Sequence, residues 1–274
     1  MFADPIGLPE KERALRAWLR ARGRVVVAFS GGIDSALLVQ VAAQELGGSA
    51  CAALAVSPSL PRRDREDAER LAREIGTELV FVETDEFEDP RYLENRGDRC
   101  YWCRKALVRA LVPLARRRDA VLAYGAVTDD LADDRPGMRA AAEGGVTAPL
   151  IECGFAKADV RALARRLGLS AWDKPASACL SSRIPAGTPV EPALLRRIDD
   201  AERGLAQLGF AVVRVRAHGE MARIELGPGE IERMLDPAVR TRAVEAVRAA
   251  GFARVCLDLE GYRAAGPSRL PSAR

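Results

Sequence analysis

A Ser-Gly-Gly-Ile-Asp-Ser segment combines residue types that bind phosphate groups. Gly31 and Gly32 let the backbone turn tightly and bring its N–H groups close to an anion. Ser30 and Ser35 add hydroxyl donors, and a helix that follows the turn directs its positive end at the same point. Asp34 would repel a bare phosphate, so its position beside one is typical of a magnesium or water ligand. The segment therefore predicts a phosphate-binding turn, beside which Asp34 binds magnesium or water.

Cysteines form the second group of residues that could do chemistry. Cys100 and Cys103 make a C-x-x-C motif, which alone fits half of a zinc site, a redox dithiol or two ligands of an iron–sulfur cluster. Cys179 lies in a serine-rich stretch, and Lys174 and Arg183 are close by in sequence. Nearby cations favour the thiolate, which is both a nucleophile and a metal ligand. Three thiolates from these two segments would hold three irons of a cubane and leave the fourth open to an extra sulfide.

The composition limits the class of protein. The chain has 274 residues with six cysteines, one histidine and a formal net charge of +3. This mild charge suits anionic small molecules as well as weak contact with nucleic acid. We expect Cys51, Cys153 and Cys256 to be buried hydrophobic residues, because they lie in or beside apolar runs. A single histidine, His218, argues against a multi-histidine zinc hydrolase. The cysteines, without a secretory signal, indicate the reducing cytoplasm, and no apolar run approaches the ~20 residues that span a bilayer.

Alternating apolar and amphipathic segments must position these groups. The first two thirds of the chain predict strands at residues 24–29, 51–56, 79–83 and 120–125, and helices at residues 35–45, 62–75 and 103–118. Such alternation is typical of βαβ units and of a parallel sheet with helices on both faces. Ligands in these α/β folds bind beyond the carboxyl ends of the strands. Ser57, Gly125 and Asp129 follow predicted strands, as the glycine turn does, so we expect them at one edge of the sheet.

A proline- and glycine-containing segment at residues 184–189 separates this α/β part from a smaller α+β module. The second part predicts helices at residues 192–208, 228–235 and 237–250, and strands at residues 211–217, 221–226 and 253–258. We therefore expect domains at residues 1–186 and 187–265, followed by a disordered tail at residues 266–274.

Two further pairs of charged residues are candidates for ligand contacts. Arg214 and Arg216 have the two-residue spacing that places side chains on one face of a strand, where they would clamp a phosphate group. Asp129 and Asp130 lie in a loop at a strand end and would bind a second metal ion or a ribose.

Together these segments resemble the LarE family, sulfur transferases that make the nickel-pincer nucleotide cofactor of lactate racemase. The Ser-Gly-Gly-x-Asp-Ser turn alone is typical of the wider superfamily of N-type ATP pyrophosphatases, the PP-loop enzymes. The resemblance covers residues 24–259. The segments that distinguish this family from the wider superfamily are residues 99–105, Asp129-Asp130 with Arg135-Pro136-Gly137, residues 172–185 and residues 214–219. It implies a Rossmann-like PP-loop domain followed by a smaller α+β domain. The chain departs from the family pattern at residues 125–130, which read GAVTDD in place of GTNxDD.

The resemblance implies that ATP adenylates a carboxylate of pyridinium-3,5-biscarboxylic acid mononucleotide and that pyrophosphate leaves. The site cysteine or its bound sulfide then attacks the acyl-adenylate, AMP leaves, and two rounds give the bis-thiocarboxylate. The residues that would bind the nucleotide are Ser30, Gly31, Gly32, Asp34, Ser35, Ser57, Gly125 and Asp129. Those that would bind the substrate are Ser182, Arg183, Arg214 and Arg216.

The family contains two mechanistic kinds. In one, a single cysteine gives up its own sulfur and becomes dehydroalanine; in the other, three cysteines carry a [4Fe–4S] cluster that supplies the sulfur. Cys179 matches the sacrificial position, and Cys100 and Cys103 supply two extra ligands, so we favour the cluster kind. The family resemblance also implies a homo-oligomer, and the source of the sulfur stays open.

Three other functions compete with this interpretation. A tRNA thiolase would need a tRNA-binding surface, whereas the basic runs at residues 116–118 and 161–166 are nearly balanced by acidic residues. An ammonia-using synthetase of the NAD or GMP type would not require a cysteine, so full activity of Cys179→Ala would favour it. A nucleotide-binding regulatory module would bind ATP without consuming it.

Overall fold

The computed structural model describes residues 7–132, 136–175 and 177–263. Contacts within the chain divide it into two units, Met1–Ser177 and Ala178–Arg274. The domain boundary predicted after residue 186 stays a prediction, and the predicted tail at residues 266–274 lies outside the described residues.

A four-stranded parallel sheet forms the centre of the first unit. Its strands are β1 (Val25–Ala28), β2 (Ala50–Val56), β3 (Glu78–Glu83) and β4 (Val121–Tyr124), in the order β3-β2-β1-β4. Val25 pairs with Ala50 on one side and with Val121 on the other, so the central strand has parallel neighbours on both edges. This confirms the predicted α/β fold, with a Rossmann-like sheet of parallel strands.

Helices cover both faces of this sheet. They are α1 (Leu8–Arg22), α2 (Ile33–Leu46), α3 (Arg62–Ile75), α4 (Pro90–Leu93), α5 (Arg99–Arg117), α6 (Pro136–Glu143), α7 (Pro149–Glu152) and α8 (Lys157–Arg166). Alternate residues of β1 point to opposite faces. Val25 and Val27 are buried with α1, α2 and α8, whereas Val26 is buried with Leu111 and Leu114 of α5. Burial on both faces explains why the strand is apolar throughout.

The helix boundaries correct the sequence analysis at one important place. We expected the third helix to begin at Cys103, but α5 begins at Arg99, so both cysteines of the C-x-x-C motif lie within its first two turns. The sequence analysis did not predict α4, α6 or α7. Two of these have only four residues, too few for a 3.6-residue periodicity to be visible.

The second unit is an α+β module. It contains α9 (Pro192–Gln207), β5 (Val213–His218), β6 (Met221–Leu226), α10 (Pro237–Ala249) and β7 (Arg254–Leu257). Strands β5 and β6 are antiparallel, β6 and β7 are parallel, and the sheet order is β5-β6-β7.

The helix predicted at residues 228–235 is wrong, because the structure has only a 3-10 turn at Ile231–Leu235. Gly229 adopts a left-handed φ of +74° just before it. Pro237 follows it and disfavours the helical conformation of the preceding residue. A regular helix is therefore blocked at both ends.

No helix in the described segments combines the length and the apolar character needed to cross a membrane.

Candidate active site

The predicted phosphate-binding segment forms a tight connection between β1 and α2. We call residues 30–35 the glycine loop. Gly32 is the N-cap of α2, and Gly31 has a φ of +69°, a conformation that favours glycine. A Cβ atom on Gly31 would lie 3.0 Å from the Cβ of Ala68 in α3. Both the conformation and the close approach therefore require glycine at position 31.

The two serine hydroxyls of the glycine loop bond within the loop itself. The Ser35 hydroxyl accepts a hydrogen bond from the Ser30 N–H at 3.2 Å and donates one to the Gly32 carbonyl at 3.0 Å. The Ser30 hydroxyl accepts one from the Gly32 N–H at 3.3 Å. These bonds fix the shape of the loop, and direct contact of the serines with a phosphate stays a prediction.

Gly125 brings the end of β4 against the first turn of α2. A Cβ atom at this position would lie 2.6 Å from the Ser35 nitrogen and 2.7 Å from the Asp34 carbonyl carbon. Both of these are backbone atoms, which cannot move aside as a flexible side chain can. The absence of a side chain at position 125 therefore permits the contact between the carboxyl edge of the sheet and the glycine loop.

Asp34, the predicted magnesium ligand, is ion-paired with Lys157 at the start of α8. The Lys157 ammonium lies 2.7 Å from Oδ1 and 2.5 Å from Oδ2 of Asp34. The sequence analysis missed Lys157, because 123 residues separate the partners and no local pattern connects them. A metal ion bound by Asp34 would share this carboxylate with Lys157 or displace its ammonium.

Asp129 and Asp130 stabilise the loop after β4. The Asp129 carboxylate accepts a hydrogen bond from the Lys157 N–H at 2.8 Å, at the positive end of α8. The Asp130 carboxylate accepts one from the Val127 N–H at 3.0 Å. Each carboxylate has a structural role, and a contact with a second metal ion or a ribose stays a prediction.

A cavity of about 250 Å³ opens beside the glycine loop. Its polar wall includes Ser30, Asp34 and Ser35, and its apolar wall includes Leu54 and Leu60. Arg104 and Tyr124 complete another side.

Ser57 is not among the residues that line this cavity. Its hydroxyl lies 2.8 Å from that of Ser59, which in turn lies 3.5 Å from the carboxylate of the buried Glu86. The predicted contact of Ser57 with a nucleotide stays a prediction.

Lys174 joins the glycine loop to α3. Its ammonium donates a hydrogen bond to the Gly31 carbonyl at 3.2 Å and lies 2.9 Å from Asp67 and 3.8 Å from Asp64. Burial raises the pKa of Asp67, but Lys174 and Arg70 outweigh it and hold that pKa below its usual value. The charge of Lys174 is therefore compensated by the carboxylates of α3.

The C-x-x-C motif places two cysteines, neither of them in a disulfide, in the first two turns of α5. Cys100 is exposed and Cys103 is half-buried. A spacing of three residues places them on the same side of the helix, near its positive end. Trp102 between them donates a hydrogen bond to Asp98 at 2.7 Å, and the Arg91 guanidinium lies 3.6 Å from its ring centre. The residues that the structure describes contain no group of three or more His, Cys, Asp or Glu side chains placed to hold a metal ion.

Cys179 lies in the second unit, where Arg183 holds its backbone. Arg183 is only 1% exposed, and its Nη1 donates to the carbonyls of Ala178 at 2.5 Å and Cys179 at 2.9 Å. Its Nε and Nη2 bond both oxygens of Glu202 at 2.9 and 3.1 Å. The Ser182 hydroxyl donates to the Cys179 carbonyl at 2.8 Å. The arrangement favours a positioning role for Arg183 and Ser182, and their predicted contact with the substrate stays a prediction.

Arg214 and Arg216 share the half-exposed face of β5, between alternate residues that are buried. Arg216 bonds both oxygens of the buried Glu225 at 2.9 and 3.0 Å, and its Nη1 donates to the Ser182 carbonyl at 2.7 Å. Arg214 donates to the Val213 carbonyl at 2.7 Å. The predicted clustering on one strand face is present, and binding of a substrate phosphate by these two arginines stays a prediction.

The other cysteines differ in exposure from what we expected. Cys51 is buried as predicted, and Cys153 is half-buried, with burial raising the pKa of its thiol to about 11. Cys256 is exposed, so its predicted burial is wrong. It lies on β7 at an edge of the second sheet, where its Sγ is 3.2 Å from the Sδ of Met221.

Comparisons with known proteins show which sequences this chain resembles. A family profile described as asparagine synthase matches residues 12–103. An uncharacterised protein of Synechocystis sp. is 41% identical over 96% of this chain and 98% of its own length. The pyridinium-3,5-bisthiocarboxylic acid mononucleotide synthase of Lactiplantibacillus plantarum is 37% identical over 93% of both chains. An NH(3)-dependent NAD(+) synthetase of Halobacterium salinarum is 42% identical, but over only 23% of this chain and 24% of its own.

We predict that Gly125→Ala distorts the glycine loop, because the added methyl group would overlap backbone atoms of Asp34 and Ser35. ATP binding, measured by isothermal titration calorimetry, should weaken at least tenfold. Gly48→Ala is the matched control, since a Cβ there meets no atom within 4 Å. Unchanged ATP affinity in Gly125→Ala would show that the contact between β4 and α2 does not shape the phosphate site.

We predict that Glu202→Gln loosens the backbone around Cys179, because it removes the charge that orients the buried Arg183 guanidinium. Breaking a buried ion pair costs about 3 kcal/mol, which should appear as a lower unfolding temperature. Alkylation of Cys179 by iodoacetamide, followed by peptide mass spectrometry, should change in rate. Glu220→Gln is the control, since Glu220 is 71% exposed. Equal effects of the two substitutions would contradict a positioning role of Glu202.

Proposed function

Because the chain belongs to the LarE family, we propose that it is an ATP-dependent sulfur transferase acting on pyridinium-3,5-biscarboxylic acid mononucleotide. The family assignment rests on the Lactiplantibacillus plantarum protein, which is named as the synthase of the corresponding bisthiocarboxylic acid mononucleotide. The observation on this chain that supports the proposal most is the glycine loop. It lies at the carboxyl edge of a parallel sheet, opens α2 and lines a cavity.

The first step in this proposal activates a carboxylate of the substrate. A carboxylate oxygen attacks the α-phosphorus of ATP, the bond to the β-phosphate oxygen breaks, and pyrophosphate leaves. Backbone N–H groups of the glycine loop and the positive end of α2 would bind the leaving pyrophosphate. Asp34 would hold Mg²⁺, which is the normal partner of phosphate oxygens and a hard cation that prefers carboxylate ligands.

The second step transfers sulfur. A nucleophilic sulfur attacks the acyl carbon, the bond from that carbon to the phosphate oxygen breaks, and AMP leaves. If the Cys179 thiolate is the nucleophile, a thioester forms. Loss of the Cys179 Cα proton and cleavage of its Cβ–Sγ bond then give the thiocarboxylate and leave dehydroalanine in the chain. The Arg183–Glu202 pair would keep the Cys179 backbone in place throughout.

We favour a second source of sulfur, a [4Fe–4S] cluster with Cys100, Cys103 and Cys179 as ligands. When bound, such a cluster supplies a sulfide on its fourth iron as the nucleophile. The start of α5 fits two of these ligands, because Cys100 and Cys103 form no disulfide, lie one helical turn apart and are close to the positive end of the helix. Cys179 would supply the third thiolate. Two rounds would convert both carboxylates, and the supplier of replacement sulfur stays open.

The location and assembly of the protein complete the proposal. A cytoplasmic location agrees with six cysteines that form no disulfide. A homo-oligomer is expected from the family and is measurable by light scattering.

The short match to NH(3)-dependent NAD(+) synthetases supports a shared use of ATP, with ammonia as the nucleophile of the competing function. A gel shift with tRNA that disappears at high salt would support the competing tRNA thiolase.

The experiment that tests the function combines the protein with ATP, Mg²⁺ and pyridinium-3,5-biscarboxylic acid mononucleotide. We expect AMP, pyrophosphate and the thiocarboxylate, the last identified by mass spectrometry. Cys179→Ala should still release pyrophosphate but form no thiocarboxylate, because only the sulfur step needs the thiol. Cys256→Ala is the control for an exposed cysteine elsewhere. Full activity of Cys179→Ala when ammonia is added would instead establish an amidating synthetase.

We predict that protein purified without oxygen contains about four irons per chain, with matching acid-labile sulfide. Cys100→Ala should lose both, because it removes one of three cluster thiolates, whereas Cys256→Ala should keep them. Iron, sulfide and the absorbance spectrum are the measurements. A wild-type protein without iron would overturn the cluster. Dehydroalanine at position 179 after one turnover, detected by mass spectrometry, would then establish Cys179 as the sulfur donor.

A further inference from the structure

Arg104 places a guanidinium at the cavity beside the glycine loop. It follows Cys103 on α5 and lines the same cavity as Ser30, Asp34 and Gly125. Its guanidinium carbon lies 5.4 Å from the ring centre of Tyr124. Within the described part of the chain, Arg104 forms neither a hydrogen bond nor an ion pair. A guanidinium has five N–H donors, so this side chain retains its full capacity to bind a ligand.

Neighbouring residues hold Arg104 in place without neutralising it. Its side chain borders apolar residues of α5 and β4, including Leu107, Leu111 and Leu122. Gly137 near the start of α6 lies on another side, and a Cβ there would be 3.8 Å from the Arg104 Nε. Contact with apolar groups orders the aliphatic part of an arginine side chain but does not neutralise its guanidinium.

No described residue that lines the cavity provides a counter-ion for Arg104. Asp34 is the acidic residue among those that line the cavity, and its carboxylate is already paired with Lys157. Burial raises the pKa of Tyr124, so its phenol stays neutral near pH 7 and is no counter-ion for Arg104. Partial burial of a cation without a counter-ion is unfavourable, because the charge loses part of its hydration. An anionic ligand that binds the cation offsets this loss.

We propose that Arg104 binds the α-phosphoryl group of ATP and retains it as the acyl-adenylate forms. This inference rests on the proposed function. The loop amides and the start of α2 lie on one side of the cavity and suit the pyrophosphate portion. Arg104 reaches the cavity from α5, which packs on the opposite face of the sheet from α2. The phosphate next to the pyrophosphate is the α-phosphate, and a planar guanidinium binds two of its oxygens at once.

The assignment predicts that Arg104 distinguishes AMP from pyrophosphate. Binding of each compound to the full chain is measured separately by isothermal titration calorimetry. Arg104→Gln should weaken AMP binding at least tenfold and change pyrophosphate binding less than twofold, because the glycine loop holds the pyrophosphate. Arg104→Lys should have an AMP affinity between those of the wild type and Arg104→Gln, because lysine keeps the positive charge but cannot bind two phosphate oxygens at once. Arg117→Gln is the matched control, an exposed arginine near the end of the same helix.

Three outcomes would overturn the inference: equal loss of AMP and pyrophosphate binding, no loss of either, or a wild type that binds pyrophosphate but not AMP. If Arg104→Gln does not fold by circular dichroism, Arg104→Lys decides by the same comparison. These binding measurements need no pyridinium substrate. A wild type that forms no thiocarboxylate but shows the AMP-selective loss would therefore contradict the proposed function and leave the role of Arg104 intact.

Discussion

The close approach of backbone to backbone at the glycine loop is the constraint on which the first unit depends. The loop passes so near α3 that Gly31 has no room for a side chain, and the end of β4 reaches so near α2 that Gly125 has none. These two contacts fix where α2 begins and therefore where its positive end points. The proposed phosphate site is made mainly of backbone, so its shape depends on what surrounds the loop more than on the loop's own side chains.

Charged side chains from distant parts of the chain then stabilise this arrangement. Lys157 binds Asp34 from the start of α8, and Lys174 binds the Gly31 carbonyl while its charge is balanced by Asp64 and Asp67 of α3. Both lysines are at least partly shielded from water, where an ion pair is screened less than on the open surface. The same principle operates in the second unit, where a buried arginine and its carboxylate partner order the segment that carries Cys179.

Local patterns made the sheet and the glycine loop predictable. Continuous apolar runs separated by helical periodicity correspond to β1–β4 and to α2 and α3, because both signals arise within a few neighbouring residues. The partners of Asp34 and Arg183 were not predictable, since ion pairing across 123 and 19 residues leaves no local pattern. Exposure of Cys256 was missed for a related reason: an apolar run predicts a strand but not whether that strand lies at the edge of its sheet.

The contacts that hold Cys179 all involve backbone atoms. Arg183 and Ser182 bind the carbonyl oxygens of residues 178 and 179, and none of these bonds involves the thiol. The conformation of this segment therefore depends on backbone hydrogen bonds and not on the chemical state of the side chain at position 179. If the side chain at position 179 is alkylated, oxidised or loses its sulfur, these backbone hydrogen bonds can still form. Chemical change at the thiol therefore does not by itself disorder the segment that carries it.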